Sequence, residues 1–144
     1  MNTVLARLRA LGDAFTPEQI VATRDLFAPL VPTPESVDAL VQRDIRYGAD
    51  ARHRLDVFAP RSSPALRPVV LYVHGGGFVQ GDKGAAGAPF FNNFGAWAVR
   101  EGFVGVTLTY RLAPAFGWPS GGEDLQLAVE WVRHHIAQHG GDPK

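Results

Sequence analysis

Val69-Val70-Leu71-Tyr72-Val73-His74-Gly75-Gly76-Gly77-Phe78 joins an unbroken apolar run to a triple glycine. The run lacks any alternation of apolar and polar residues. A β-branched stretch of this kind predicts a strand covered on both faces, as in a parallel sheet. Three glycines at the strand's C-terminal end let the backbone turn sharply and bring N–H groups close to a ligand. Ligands of open α/β sheets bind at that end. Two N–H groups aimed at one point would stabilise the oxyanion of a tetrahedral acyl-transfer intermediate. Taken alone, the triple glycine also fits a turn without chemistry. A phosphate loop is a further alternative, but no Gly-Lys-Ser/Thr follows and no helix is expected to start directly at the glycines.

Working outward, Phe103 to Thr109 reads as a second buried strand. Between the two, Ala88 to Arg100 has helical spacing at Phe91, Phe94, Trp97 and Ala98, with Gly102 as its stop. Strand, helix and strand make a βαβ unit with a right-handed crossover. Upstream, Val41, Arg43, Ile45 and Tyr47 alternate with Gln42, Asp44 and Arg46, which predicts a half-buried strand. Gly48-Ala49-Asp50 is a turn, and Leu55 to Ala59 is the next strand; the two are expected to form an antiparallel hairpin at a sheet edge. Downstream, Glu123 to His139 predicts a helix with Leu125, Ala128, Val129, Val132 and Ile136 on one face, acidic residues at its start and Gly140-Gly141 at its end.

The first forty residues read as helices. Thr16 caps a segment with Pro17 in its first turn and Gln19 placed to complete a capping box. Ile20, Val21, Phe27 and Leu30 recur near helical spacing, and Pro32 and Pro34 end the segment. Arg7 and Arg9 interrupt the apolar residues of the N-terminus, which favours an amphipathic helix over a signal peptide.

Composition narrows the function. At 144 residues the chain suggests one domain, at about 150 residues each. Lys plus Arg and Asp plus Glu are 14 each, so no electrostatic footprint for nucleic acid or an acidic membrane follows. An apolar content of 46% is enough for a packed core. Sixteen glycines and eleven prolines imply many tight turns. The absence of cysteine removes disulfide scaffolds, thiolate zinc sites and a cysteine nucleophile, and fits a cytoplasmic protein. No apolar run is long enough for a transmembrane helix.

The segment His74-Gly75-Gly76-Gly77 after a buried strand, with Leu55-Asp56-Val57-Phe58 before it and Tyr110-Arg111-Leu112-Ala113-Pro114, Pro119 and Glu123-Asp124 after it, resembles the α/β-hydrolase family in its hormone-sensitive-lipase-like and small carboxylesterase branches. The resemblance runs from Val41 to Lys144. It implies an α/β fold: the N-terminal half of an α/β-hydrolase sheet over 41–144, ending before the nucleophile elbow, with a helical cap segment over 1–40. It further implies that Gly76 and Gly77 donate the oxyanion hydrogen bonds, that Gly75 allows the turn, that His74 holds the loop's shape through its ring nitrogens, and that Phe78 lines the acyl or alcohol pocket. Simple packing is an equal reading for Phe78. Ala115 stands where these esterases commonly carry an acidic residue, which leaves a local ion pair with Arg111 in doubt.

In that family the triad runs Ser, then Asp or Glu, then His, with Ser in a Gly-x-Ser-x-Gly elbow. None of Ser36, Ser62, Ser63 and Ser120 has this context, and Gly117-Trp118-Pro119-Ser120-Gly121 is off by one position in an expected loop. The resemblance implies that the elbow follows Lys144 closely, so the expected partner is the C-terminal half of the same hydrolase, and residues 1–144 alone are expected to be inactive. His53, His134, His135 and His139 are expected to be solvated surface residues, and no metal site or cofactor is expected; His135 and His139 are four apart, but no suitable carboxylate supports a metal. The function implied is a serine carboxylic ester hydrolase acting on a small ester, with an arylformamidase-like amide hydrolase and a non-catalytic ligand-binding relative as alternatives.

Overall fold

The structure is a computed structural model and describes residues 2–144. The chain divides into two compact units, Met1–Val31 and Pro32–Lys144. The first contains two helices, α1 (Asn2–Leu11) and α2 (Pro17–Phe27). Thr16 caps α2 by accepting the Gln19 N–H at 3.3 Å. The expected capping box is only half made. The Gln19 side-chain amide donates instead to the Leu11 carbonyl, one of the acceptors left without an intrahelical partner at the end of α1. Leu26 is the buried residue of α2, whereas Ile20, Val21 and Leu30 are exposed. Periodicity tells which residues share a face, not which face is covered.

The second unit is a four-stranded mixed sheet in the order β1-β2-β4-β3, with β1 (Ala39–Arg46), β2 (Arg54–Pro60), β3 (Val69–Val73) and β4 (Val104–Leu108). The expected hairpin is present: β1 and β2 are antiparallel, with Val41 opposite Phe58. Antiparallel pairing of β2 with β4 sets Val57 opposite Val106, and parallel pairing of β3 with β4 sets Leu71 opposite the same Val106. Every residue of β4 is buried. The residues of β3 are partly exposed, reaching 41% at Val73, because β3 is an edge strand among the described residues. Coverage on both faces therefore holds for β4 and only in part for β3.

Two helices cover the sheet. The crossover helix α3 (Asn92–Arg100) starts four residues later than its apolar spacing suggests. Phe91 just before it adopts a positive φ of 54°, so helical geometry cannot extend further back. Its Gly95 lies so close to the sheet that a Cβ there would sit 2.2 Å from the Phe58 ring, and a Cβ on Gly105 of β4 would meet Ala98 at 2.9 Å. The final helix α4 (Ser120–His135) starts three residues earlier than expected and ends in a 3₁₀ turn over Ile136–His139. Ser120 is thus the first residue of a helix and buried, not part of a loop. Ala128, Val132 and Ile136 join Leu55, Val57, Val106 and Leu108 in the main core.

A charged cluster ties the hairpin to the segment after the glycines. Asp56, fully buried in β2, receives Arg43 Nη1 at 2.8 Å, Lys83 Nζ at 2.7 Å and the Asp44 N–H at 2.8 Å. Burial disfavours the Lys83 ammonium, but hydrogen bonds to Asp44 and Asp56 outweigh it and raise its pKa above the ordinary value. The Asp44 backbone has a positive φ of 56° where the β1–β2 register shifts, and this bulge turns its N–H onto Asp56.

Candidate active site

The parallel strand β3 ends at Val73, and the next five residues form the loop that the sequence singles out. Gly76 has a φ of 122° and Gly77 of 64°. A Cβ on Gly76 would stand 2.0 Å from the Gln80 carbonyl oxygen, so only glycine fits there. The N–H groups of Val79 and Gln80 both donate to the Gly76 carbonyl, at 3.2 Å each, and close the turn. Among the described residues neither the Gly76 nor the Gly77 N–H has an acceptor. Gly75 has open space around its Cβ position.

His74 is 2% exposed. Its Nδ1 lies 2.8 Å from the Gly75 carbonyl oxygen, and since a carbonyl only accepts, Nδ1 carries the proton. Nε2 is then an acceptor, 3.5 Å from Arg52 Nη2. Burial holds the imidazole below the ordinary histidine range, and the nearby Arg52 charge adds to that. The ring stacks on Tyr110 with centroids 4.4 Å apart, and the Tyr110 hydroxyl donates to the His74 carbonyl at 2.9 Å. His74 is therefore neutral, locked in one orientation, and bonded to its own loop.

Phe78 has a positive φ of 63°, and its carbonyl accepts the Ala113 N–H at 2.8 Å. The residue is 62% exposed, and its ring lies over Gly121. Together with Phe116, Trp118 and Gly121 it lines a mostly apolar cavity of about 170 Å³.

A second buried carboxylate organises the segment after β4. Asp124 is fully buried and takes the Arg111 N–H at 2.7 Å, Arg111 Nη2 at 2.7 Å and Arg111 Nε at 2.8 Å. Burial pushes its carboxyl up, but the Arg111 hydrogen bonds win and hold it below the ordinary range. Arg111 also reaches Glu123 at 3.1 Å. With Ala115 in the loop, Arg111 draws its carboxylates from α4 instead. His53 is a correction to the sequence reading: it is 5% exposed, stacked on Tyr47 at 4.9 Å, with Nε2 3.0 Å from Asp124 Oδ1 and Nδ1 accepting the Asp50 N–H at 3.2 Å. No periodicity marks it, because it sits in the turn between β1 and β2, and its burial comes from α4, some seventy positions away. His134 and His135 are exposed and His139 is half-buried. The described residues hold no group of three or more His, Cys, Asp or Glu that could bind a metal. None of the described helices is long and apolar enough to cross a membrane.

The structure thus brings His74, Gly75, Gly76, Gly77 and Phe78 to the C-terminal edge of the sheet, and adds Arg52 and Tyr110 to them. Sequence reasoning had no physical signal for Arg52 as a partner of the loop.

The chain is similar to known proteins. Residues 55–144 match the BD-FAE family model. Esterase LipQ of Mycobacterium tuberculosis is 33% identical over 93% of this chain and 35% of its own length. The probable isoprenylcysteine alpha-carbonyl methylesterase ICMEL1 of Arabidopsis thaliana is 31% identical over 72% of this chain and 21% of its own. The crystal structure of esterase B from Lactobacillus rhamnosis superposes with a TM-score of 0.67 at 24% identity, over 98% of this chain and 42% of that one. The chain spans about a third or less of the length of these two curated relatives.

Proposed function

Since the chain belongs to the BD-FAE family, in the carboxylesterase branch of the α/β-hydrolases, we propose that it supplies the oxyanion loop of a serine carboxylic ester hydrolase. In this reading a serine Oγ attacks the ester carbonyl carbon. The carbonyl oxygen becomes an oxyanion that accepts hydrogen bonds from the Gly76 and Gly77 N–H groups. Collapse expels the alcohol and leaves an acyl-enzyme, which water converts to the acid. The serine, its histidine and its acid belong to polypeptide that follows Lys144 or to a companion chain, which is the macromolecular partner of residues 1–144. His74 acts on the loop and not as a base, and Phe78 borders the acyl or alcohol pocket. The two helices within the 1–40 segment act as a cap that selects substrate, and the enzyme works in the cytoplasm on small esters.

The observation that carries this reading is the pair of acceptor-free N–H groups at Gly76 and Gly77, held at positive φ beyond a parallel strand. The test is turnover of a p-nitrophenyl acyl ester by the full-length enzyme, with an N-formyl aromatic amine as the rival substrate. Preferential ester turnover with burst kinetics supports the reading; preference for the formamide, or no turnover of either, defeats it.

A further inference from the structure

We propose that Arg52 is the positioning residue of the oxyanion loop: its guanidinium ties the Gly81 end of the loop to the end of β4 and lies against the His74 end. This rests on the ester-hydrolase reading above.

Arg52 lies in the turn between β1 and β2, outside the glycine motif. Its backbone is fixed first. Its N–H donates to Asp50 Oδ1 at 2.8 Å, and its carbonyl accepts the Thr109 hydroxyl at 2.5 Å. The turn is thereby bound to the residue that follows β4. From this anchored position the half-buried side chain spans three segments. Nε donates to the Tyr110 carbonyl at 2.6 Å, and Nη2 donates to the Gly81 carbonyl at 2.9 Å. The same Nη2 lies 3.5 Å from His74 Nε2. His74 begins the loop, and Gly81 ends the turn that continues it past Phe78. A guanidinium has its donors in a rigid planar fork, so satisfying Tyr110 and Gly81 together fixes the separation between loop and β4.

Glycine at position 81 makes the clamp possible. Gly81 has a φ of 122°, and a Cβ there would stand 2.2 Å from His74 Nδ1 and 2.4 Å from the Gly75 carbonyl oxygen. The two loop ends are therefore in direct contact, and the turn that presents the Gly76 and Gly77 N–H groups is a closed ring. Arg52 is a side chain from outside the loop that bonds to the Gly81 end and lies against the His74 end. Oxyanion stabilisation depends on donors held in place before the charge develops, so a looser ring lowers the rate without weakening ground-state binding.

The experiment compares Arg52→Met and Arg52→Lys with the wild type in the full-length enzyme. Two readouts are used: steady-state hydrolysis of a p-nitrophenyl ester, and inhibition by a trifluoromethyl ketone, which forms a tetrahedral oxyanion with the serine. Methionine removes the donors while keeping much of the stem. Lysine keeps the charge but does not reproduce the planar fork. In both, kcat should fall about tenfold to a hundredfold with KM changed less than about twofold, and ketone affinity should fall in step with kcat/KM. Lysine should sit between methionine and wild type. A kcat within twofold of wild type, or a kcat loss with unchanged ketone affinity, overturns the proposal. If Arg52→Met does not fold by circular dichroism, Arg52→Lys decides under the same criteria. A wild-type enzyme without ester activity would instead defeat the functional reading, which is a different outcome.

Discussion

The backbone N–H and the guanidinium of Arg111 close on one carboxylate, that of Asp124, at 2.7 Å and 2.7 Å. One residue thus satisfies a fully buried charge twice, and in doing so ties the segment after β4 to α4. The segment so held borders the Phe78 cavity.

Removing that carboxylate leaves a guanidinium facing a buried amide. Asp124→Asn should destabilise the protein by about 3 kcal/mol, as expected when one partner of a buried pair is lost, read as a lower urea midpoint. The pH dependence has a definite sign. Because the folded-state pKa of Asp124 is depressed, its stabilisation is complete above the ordinary carboxylate pKa and is lost as pH falls through that value toward the depressed one. Stability of the wild type should therefore drop on acidification below about pH 4, and the drop should be smaller in Asp124→Asn. An equally steep acid limb in the variant would assign it to other groups.

Gly76→Val should lower kcat of the complete enzyme by about two orders of magnitude or more, since a side chain there collides with the Gln80 carbonyl and misplaces the donors. Circular dichroism checks that the variant is folded, and near-wild-type turnover in a folded variant would remove Gly76 from its assigned role.

Gly95→Ala should cost about 1–3 kcal/mol, because the new methyl group enters the Phe58 ring in a core that cannot open locally. Thermal or urea unfolding measures it. Gly77→Ala, with nothing within 4 Å of its Cβ position, should cost less stability than Gly95→Ala and act on turnover instead.

Phe78→Ala should alter substrate preference more than stability, as the ring is mostly exposed and lines the cavity with Phe116 and Trp118. The ratio of kcat/KM for a long to a short acyl ester should change by about tenfold, the scale for contacts of about a methylene or more in an apolar pocket. An unchanged ratio would make Phe78 a packing residue.

Residues 1–144 expressed alone should self-associate and fail to hydrolyse esters, whereas co-expression with the remaining polypeptide should restore both size and activity. The reason is the half-exposed edge strand β3, which is apolar and carries no charged residue. Size-exclusion chromatography and a p-nitrophenyl ester assay of each preparation test this, and an active or monomeric fragment would contradict it.

Local sequence determined the parts of this protein that depend on near neighbours. The unbroken run Val69–Val73, the period-two residues of β1, the apolar spacing of α4 and the glycines after His74 each declare an element or a turn from within their own segment. The order of those elements was enough to predict a hairpin joined to a βαβ unit, and the spacing of the motifs identified the family. Boundaries were less legible: α3 begins only at Asn92 because Phe91 takes a positive φ, which no periodicity announces. The tertiary structure alone decided the polar contacts. His53 is buried because α4 brings Asp124 to it, Asp56 is tolerated because Arg43 and Lys83 arrive from two other segments, and Arg52 reaches Tyr110 and Gly81 only once β2 and β4 are paired. Apolar patterning is written residue by residue, since burial of a face needs only a repeating period. A buried charge instead needs a partner at about 3 Å, and that partner is chosen by how distant segments pack.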